Sequence, residues 1–419
     1  MITATPFRRK MCQRLYPFAT LLMALLVPEV SRAIGFLLPN QDPQAIARGN
    51  AFVATADNPS AIYYNPAGIT QISGWDIEVG ELNYLGISAN YVPAGGGPEV
   101  NSKFEVTPVP QIYAVYSPTN LPFAFGLGLY APFGLGVEWP ANSSLRTLDL
   151  EARMQVITVS PVIAWKPLPS LSIAAGPTAS YSTLKFRRGL LSAVDEYTFN
   201  GHDTSLGATA GIRWQPIKQL AFGVDYRSES MMNYSGHSDY RPGNGAVLTV
   251  PTSTETALPQ SLSWGVSYRP TPHWNAEADV EWANTHRTTG LNLQGTSAIF
   301  GSDLPFPLHW HDTWMYKFGV TRYFDNGWFV SAGYFFTTST TSEEYFTPAV
   351  PDTQLHTGSL GFGRDGEHWH WAVAGQIITG PQRTIAASPY NGNPYTLASS
   401  AGKYQLFIPS LSFSVGYRF

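Results

Sequence analysis

The C-terminal stretch Phe407-Ile408-Pro409-Ser410-Leu411-Ser412-Phe413-Ser414-Val415-Gly416-Tyr417-Arg418-Phe419 decides the fold. Its odd positions are Phe, Pro, Leu, Phe, Val, Tyr and Phe; its even positions are Ile, Ser, Ser, Ser, Gly and Arg. A period of two with one apolar and one small or polar face is a β-strand. A closing strand of a soluble sandwich also alternates, but it rarely exposes so large an aromatic face and ends on Phe. Lipid on one side and a polar lumen on the other explain both features.

The pattern recurs upstream. Leu206, Ala208, Ala210, Ile212 and Trp214 alternate with Ser205, Gly207, Thr209, Gly211 and Arg213. Leu262, Trp264, Val266 and Tyr268 alternate with Ser261, Ser263, Gly265 and Ser267, and similar stripes surround Trp328 and Trp369. Many end in Trp, Tyr or Phe, as interfacial girdles do. Tight turns lie near Ser117-Pro118-Thr119-Asn120, Lys166-Pro167-Leu168-Pro169, Gln215-Pro216-Ile217-Lys218, Arg269-Pro270-Thr271-Pro272, Asp325-Asn326-Gly327 and Arg364-Asp365-Gly366. Six hairpins contribute twelve strands, and one more at each end gives an all-β, 14-stranded antiparallel transmembrane β-barrel. The stretches 189–203, 238–258 and 290–312, rich in Gly, Ser, Thr and Asn, are expected as loops.

Composition agrees. Only 13% of the 419 residues are charged, against roughly 25% in soluble domains, while 14% are aromatic. Mean hydropathy is nevertheless only −0.09. At the N-terminus, Arg8, Arg9, Lys10 and Arg14 precede an apolar run from Leu15 to Val27 and the small-x-small site Ser31-Arg32-Ala33. This order predicts a secretory signal over 1–33; the run is too short to cross ~30 Å of hydrocarbon as a helix. Cleavage removes the sole cysteine, Cys12, and with it any disulfide or thiolate metal site. It also removes five of 25 basic and one of 29 acidic residues, leaving a net charge of −8. An acidic chain without a basic stripe is a poor nucleic-acid binder.

Residues 34–74 do not alternate. Asp42-Pro43, Asn58-Pro59 and Asn65-Pro66 are helix-start signals, because Asx caps free amides and Pro suits the first helical position; each is also compatible with a turn. The segment is too small for a core of its own and is expected inside the barrel, which spans 75–419.

At these residues the chain resembles the long-chain fatty acid transporter family of outer-membrane proteins, which includes aromatic hydrocarbon transporters. Gly35-Phe36, Ala47-Arg48-Gly49-Asn50-Ala51, Ala56-Asp57-Asn58 and Asn65-Pro66-Ala67-Gly68 are similar to that family's N-terminal hatch. The run from Phe125 to Leu135, containing Gly126, Gly128, Tyr130, Ala131, Pro132, Phe133 and Gly134, resembles its kinked third strand. The resemblance implies a gated, passive channel for a hydrophobic small molecule in the bacterial outer membrane. Release is then sideways through a wall opening at the kink, from a monomer in contact with lipid and lipopolysaccharide. Phe419 resembles the signal that such proteins present to the barrel assembly machinery. Physical chemistry supports the kink: Pro donates no ladder hydrogen bond and Gly in a strand marks a bend. An ordinary barrel corner has the same composition, and a general diffusion porin is the rival function.

A fatty carboxylate in an apolar lumen needs a cation. Lys185-Phe186-Arg187-Arg188 is the candidate run. If Ser180 and Ser182 face inward, parity selects Arg188, while Lys185 and Arg187 point out; a bulge reverses this, and a solvated or lipopolysaccharide-facing basic tip is the plainer reading. Arg213, Asp225, Arg227, Arg269, Glu277, Asp279, Glu281 and Lys317 are expected inside as ion pairs that hold the plug or set the register. Phe123, Phe125, Phe133 and Trp139 either line a pocket or, as the barrel pattern favours, face lipid. His309/His311 and His368/His370 place two rings on one strand face, but no third metal ligand is evident. No nucleophile motif, phosphate loop or cofactor signature appears, so no catalytic site is expected, although a barrel phospholipase would leave no local motif.

Overall fold

The computed structural model describes residues 37–80, 84–243, 245–393, 396 and 398–419. The expected signal segment, its cleavage after Ala33 and the Gly35-Phe36 pair lie outside the described residues.

Fourteen antiparallel strands close into one barrel. They are β1 (Gly74–Gly80 and Tyr84–Pro93), β2 (Val100–Asn101, Glu105–Thr107 and Gln111–Ser117), β3 (Phe123–Tyr130 and Gly134–Glu138), β4 (Glu151–Leu168) and β5 (Leu171–Gly189). Next come β6 (Glu196–Ile217), β7 (Leu220–Arg227 and Ser230–Arg241), β8 (Leu248–Leu258 and Ser261–Thr271) and β9 (Trp274–Ala283). The last are β10 (Thr313–Tyr323), β11 (Trp328–Thr337), β12 (Leu355–Asp365), β13 (Trp369–Thr379) and β14 (Gly402–Arg418). Closure is made by β1 on β14, with Asp76 opposite Arg418 and Gly80 opposite Ser414.

All six turns read from the sequence join neighbouring strands, from β2–β3 to β12–β13. The stripes face as their period requires. Leu206, Ile212, Trp264, Tyr268 and Leu411 are exposed outward, whereas Ser205, Thr209, Ser263 and Ser412 are buried inside. Trp75, Phe123, Trp165, Trp214, Trp274, Trp328 and Trp369, all exposed, lie at the strand ends beside the short turns. That is the position of an interfacial aromatic girdle.

Two expected loops are largely strand. Residues 196–203 begin β6, and most of 238–258 belongs to β7 and β8. Strands of 9–11 residues suffice to cross the membrane, so β5 and β6, at 19 and 22 residues, continue well beyond it. Their outer parts still alternate: Tyr197 and Phe199 are buried while Thr198 and Asn200 are less so. Thr249, Thr252, Thr254 and Thr256 supply β-branched residues that favour a pleated sheet over a loop.

The N-terminal segment runs inside the barrel. It contains helix α1 (Pro43–Ala47), helix α2 (Ala61–Tyr64) and a 3-10 turn (Pro66–Gln71). Asp42 caps α1 by accepting from the Ala45 amide at 3.1 Å, and Asn65 caps the 3-10 turn by accepting from that of Ala67 at 3.2 Å. Its backbone touches the wall so closely that wall side chains are excluded. A Cβ on Gly223 would stand 2.1 Å from the Val53 carbonyl, and one on Gly333 1.9 Å from the Gly49 nitrogen.

The inward charges fasten this segment. Asp279 accepts from the amides of Phe52 (2.7 Å) and Val53 (3.0 Å), and Glu277 from those of Ala54 (2.7 Å) and Thr55 (3.1 Å). Arg213 donates to the Ala54 carbonyl at 2.8 Å, and Arg269 pairs with Asp57 at 3.4 Å. Arg227 pairs with Asp225 and stacks 4.0 Å above the Tyr63 ring, while Lys317 pairs with Glu281. Carboxylates that each collect two backbone amides are strong, directional clamps.

Candidate functional site

The wall is incomplete between β2 and β3. Their ladder ends at Ile112 opposite Leu129. Ala131-Pro132-Phe133 then interrupts β3, and its upper part, Gly134–Glu138, pairs with β4 alone. Facing it on β2 are Pro108 and Pro110, which likewise lack a donor. The break is bounded above, where the Lys103 amide donates to the Glu138 carbonyl at 2.8 Å and their side chains form an ion pair. Prolines on both edges leave fewer N–H groups unpaired at membrane depth, where each orphan costs several kcal/mol.

Residues Leu37–Gln41 occupy the break from inside. Leu37 forms an antiparallel bridge with Phe133, and the Leu38 amide donates to the Pro132 carbonyl at 2.8 Å. Gln41 Nε2 donates to the Ala131 carbonyl at 2.7 Å, and its Oε1 accepts from the Ala131 amide at 3.2 Å. On the β2 side, Gln111 donates to the Asn40 carbonyl at 3.2 Å and the Tyr113 hydroxyl to that of Gln41 at 3.1 Å. The segment therefore stands where β2 would otherwise pair with β3.

Gly126 and Gly128 correct the expectation placed on them. The ladders are complete on both sides there, so neither belongs to the break. They face inward, and a Cβ on either would meet Ile62 of α2 at 2.9 or 2.8 Å. Tyr130 also points in, edge-on to Tyr63 at 5.1 Å. Asn65, Pro66, Ala67 and Gly68 are not among the residues that fill the break. Asn65 Nδ2 donates to the carbonyls of Val53 (2.8 Å) and Ile212 (3.0 Å), which pins this element to β6.

Behind Leu37–Asn40 lies a cavity of about 70 Å³, walled by Met315, Phe335, Leu355, Ile378 and Ile408. It is less than half the ~150 Å³ apolar cavity that holds benzene. Beyond it an apolar cluster extends towards the long-loop end through Trp139, Met154, Leu184, Tyr197, Phe199, Tyr234 and Tyr404. Trp139 is only 1% exposed and Phe133 packs against this cluster, so both line the lumen rather than face lipid. Phe123 and Phe125 face outward as the pattern indicates.

At the outer end of this cluster parity holds without a bulge. Ser180 and Ser182 are buried inside, and Arg188 pairs in register with inward-facing Tyr197. Its guanidinium lies 5.6 Å above the Phe300 ring and 5.3 Å from that of Phe306, both from the loop between β9 and β10. Among the described residues no hydrogen bond or ion pair holds it, and Nε is buried without a partner. Lys185 and Arg187 instead point away from the lumen. Lys185 pairs with Glu151 at 2.8 Å, and Arg187 with Glu138 (3.2 Å), Glu151 (3.3 Å) and Glu196 (3.5 Å).

The histidine pairs do not form shared faces. His309 and His311 lie in a loop, where His309 has φ of 42° and its ring lies tilted 4.4 Å from that of Tyr345. His368 lies in the turn before β13, exposed against Tyr417, whereas His370 is buried and bonded to Asp76 at 2.8 Å.

A sequence profile described as outer membrane protein transport protein (OMPP1/FadL/TodX) matches residues 24–368 of this chain. The chain belongs to this family. Members of the OMPP1/FadL/TodX family are outer-membrane transport channels and not enzymes. The long-chain fatty acid transport protein of Escherichia coli is 23% identical over 353 residues, covering 71% of this chain and 77% of that one. A putative outer membrane protein of Neisseria meningitidis is 34% identical over 124 residues, 27% of this chain and 26% of its own. A Pseudomonas aeruginosa FadL homologue has the same fold, with a TM-score of 0.79 at 18% identity over 91% of this chain and 99% of that one. The toluene transporter TodX of Pseudomonas putida follows with a TM-score of 0.71 at 16% identity, over 93% and 100%. As an OMPP1/FadL/TodX member, the chain resides in the outer membrane and transports hydrophobic compounds.

Proposed function

We propose that this channel takes up long-chain fatty acids, and that residues 34–74 act as a partly helical hatch in which the extended stretch Leu37–Gln41 is the gate. The carrying observation is Arg188. An unpaired cation in an apolar mouth is costly to keep unless a ligand supplies its counter-charge, and a carboxylate does so with two oxygens matched to a guanidinium. An aromatic hydrocarbon has no use for it. The small size of the cavity supports gating, because a lipophile needs Leu37 and Leu38 to withdraw. Withdrawal would also clear the break between β2 and β3, giving lateral release past Ala131, Pro132 and Phe133. The Asn65-Pro66-Ala67-Gly68 element, clamped to β6, would be the fixed base of the hatch.

The test is uptake of labelled oleate and, separately, toluene by cells lacking their own such transporter. Oleate uptake that Arg188→Gln reduces, with toluene unaffected, is the expected result. Toluene uptake alone would assign the chain to aromatic hydrocarbons. Uptake of neither, with conductance for polar solutes in a planar bilayer, would make it a general diffusion porin.

A further inference from the structure

The mouth holds a second group that the function above does not use. Asp149, in the loop between β3 and β4, is fully buried, and neither carboxylate oxygen has a hydrogen-bond partner. Its backbone is held on both sides. Its own amide donates to the Leu145 carbonyl at 2.9 Å, the next amide, Leu150, donates to the Arg187 carbonyl at 2.8 Å, and the Leu150 carbonyl accepts from Trp139 at 2.8 Å. The backbone at Asp149 is thus fixed in the wall of the mouth, next to the Leu150–Arg187 bond and so to the residue preceding Arg188. Leu145, Leu150, Trp139 and Tyr404 around it are all buried, so the carboxyl is shielded from bulk solvent. The charged and titratable groups that act on it are Glu151 of β4, Arg187 and Arg188 of β5 and Tyr404 of β14. Arg187 is already engaged by three glutamates. Arg188 is the one cation of the set without an ion pair among the described residues, and Asp149 and Arg188 act on each other through charge while remaining beyond contact.

An acid kept unpaired beside a cation kept unpaired is a poor structural ion pair. A buried pair is stabilising only with close geometry and full hydrogen bonding. As a competitor for the cation the arrangement makes sense. We propose that Asp149 sets the charge selectivity of the mouth: ionised, it neutralises Arg188 and repels an incoming carboxylate, and protonated, it leaves Arg188 free to seat one. Each carboxylate that binds is then accompanied by one solvent proton added to the Asp149 carboxyl, with no other bond made or broken. This rests on Arg188 being the carboxylate seat.

Burial pushes the Asp149 carboxyl well above the usual carboxylate range and Glu151 pushes in the same direction, while Arg187 and Arg188 pull it back. A carboxylate on Arg188 adds a further negative charge and raises it again. Binding therefore takes up a proton, so carboxylate affinity must rise as pH falls towards the point at which the free protein's Asp149 titrates, and level off below it. A neutral ligand of the same chain length must not show this dependence.

The experiment measures binding of laurate and 1-dodecanol to the purified full-length protein in detergent, from mildly acid to mildly alkaline pH. In the wild type, laurate should weaken by up to roughly tenfold for each pH unit above that point, with dodecanol flat. Asp149→Asn should bind laurate tightly at the alkaline end and lose the slope. Asp149→Ser repeats the measurement should the amide disturb the loop, and a heat-modifiable band on electrophoresis reports the folded barrel for each. Laurate profiles in both variants that superimpose on the wild type, with binding still lost in Arg188→Gln, overturn this proposal alone. Laurate binding unchanged in Arg188→Gln overturns the seat itself.

Discussion

Gln41 completes the strand ladder of Ala131. Its carboxamide donates to the Ala131 carbonyl at 2.7 Å and accepts from the Ala131 amide at 3.2 Å, the two bonds that a neighbouring strand would have supplied. A side chain from the lumen thereby satisfies a wall residue at the point where β2 stops pairing. A side-chain bond of this kind is easier to release than a β-ladder, since it breaks without neighbouring pairs to hold it. Replacing Gln41 with Ala removes both bonds, worth about 1–3 kcal/mol in a buried site. Faster oleate uptake at equal surface level is the expected outcome, and uptake unchanged from wild type would refute a gate held by Gln41.

Covalent closure tests the same gate from the other side. Leu37 and Phe133 face each other across an antiparallel bridge, and such pairs have Cα atoms ~4.5–5.5 Å apart, within the ~4.4–6.8 Å that a disulfide spans. The chain has one cysteine, Cys12, in the expected signal segment. A Leu37→Cys/Phe133→Cys variant should transport when reduced and stop when oxidised. Transport by the oxidised form would mean that substrate passes elsewhere.

Glu277 and Asp279 clamp four consecutive amides, Phe52 to Thr55. With both changed to Ala these buried donors lose their acceptors, at about 1–3 kcal/mol each. The middle of the segment should detach and leave a water-filled lumen. Single-channel recording in a planar bilayer should then show large, long-lived openings that the wild type lacks. A quiet double variant would show that the glycine-lined fit alone retains the segment.

Gly223 supplies that fit. A methyl group there would sit 2.1 Å from the Val53 carbonyl, a contact that only backbone displacement relieves. Gly223→Ala should cost roughly 1–3 kcal/mol, seen as a lower unfolding midpoint, and should render the 47–57 region susceptible to protease from the periplasmic side. Unaltered stability and protection would place Val53 farther from β7.

The final residue is part of the closing seam, its amide donating to the Trp75 carbonyl at 3.1 Å, with its ring 4.8 Å from that of Tyr417. Its resemblance to the signal that such proteins present to the assembly machinery can be tested by removing it. Deleting Phe419 should lower the amount of folded protein in the outer membrane far more than it lowers the stability of protein refolded in detergent. Equal losses in both assays would assign Phe419 a packing role only.

The barrel was legible because its information is local. Period-two stripes decide which face of a strand meets lipid, turn residues mark each hairpin, and parity tied Arg188 to the face of Ser180 and Ser182 and Lys185 and Arg187 to the other, leaving open which face is inside. The same local reasoning failed where composition stood in for pattern. The Thr- and Ser-rich outer parts of β6, β7 and β8 were expected as loops although Tyr197 and Phe199 already alternate there. Gly126 and Gly128 were assigned to a bend, but glycine also serves close approach, and only Ile62 pressing on β3 tells the two apart. Pro108 and Pro110 were a signal left unused, since prolines on both β2 and β3 mark a seam better than prolines on one.

Strand number, strand faces and the polar lumen charges were thus determined by the sequence itself, because each depends on residues a few positions apart. What fills the seam, which carbonyls Gln41 reaches and why Asp149 has no partner were decided only by the tertiary structure. Gln41 and Ala131 are 90 residues apart, and no periodicity or turn code relates them. Their meeting follows from threading the N-terminal segment through a closed barrel, where the clamps at Phe52–Thr55 leave Leu37–Gln41 to lie against a stretch of β3 that lacks a strand neighbour.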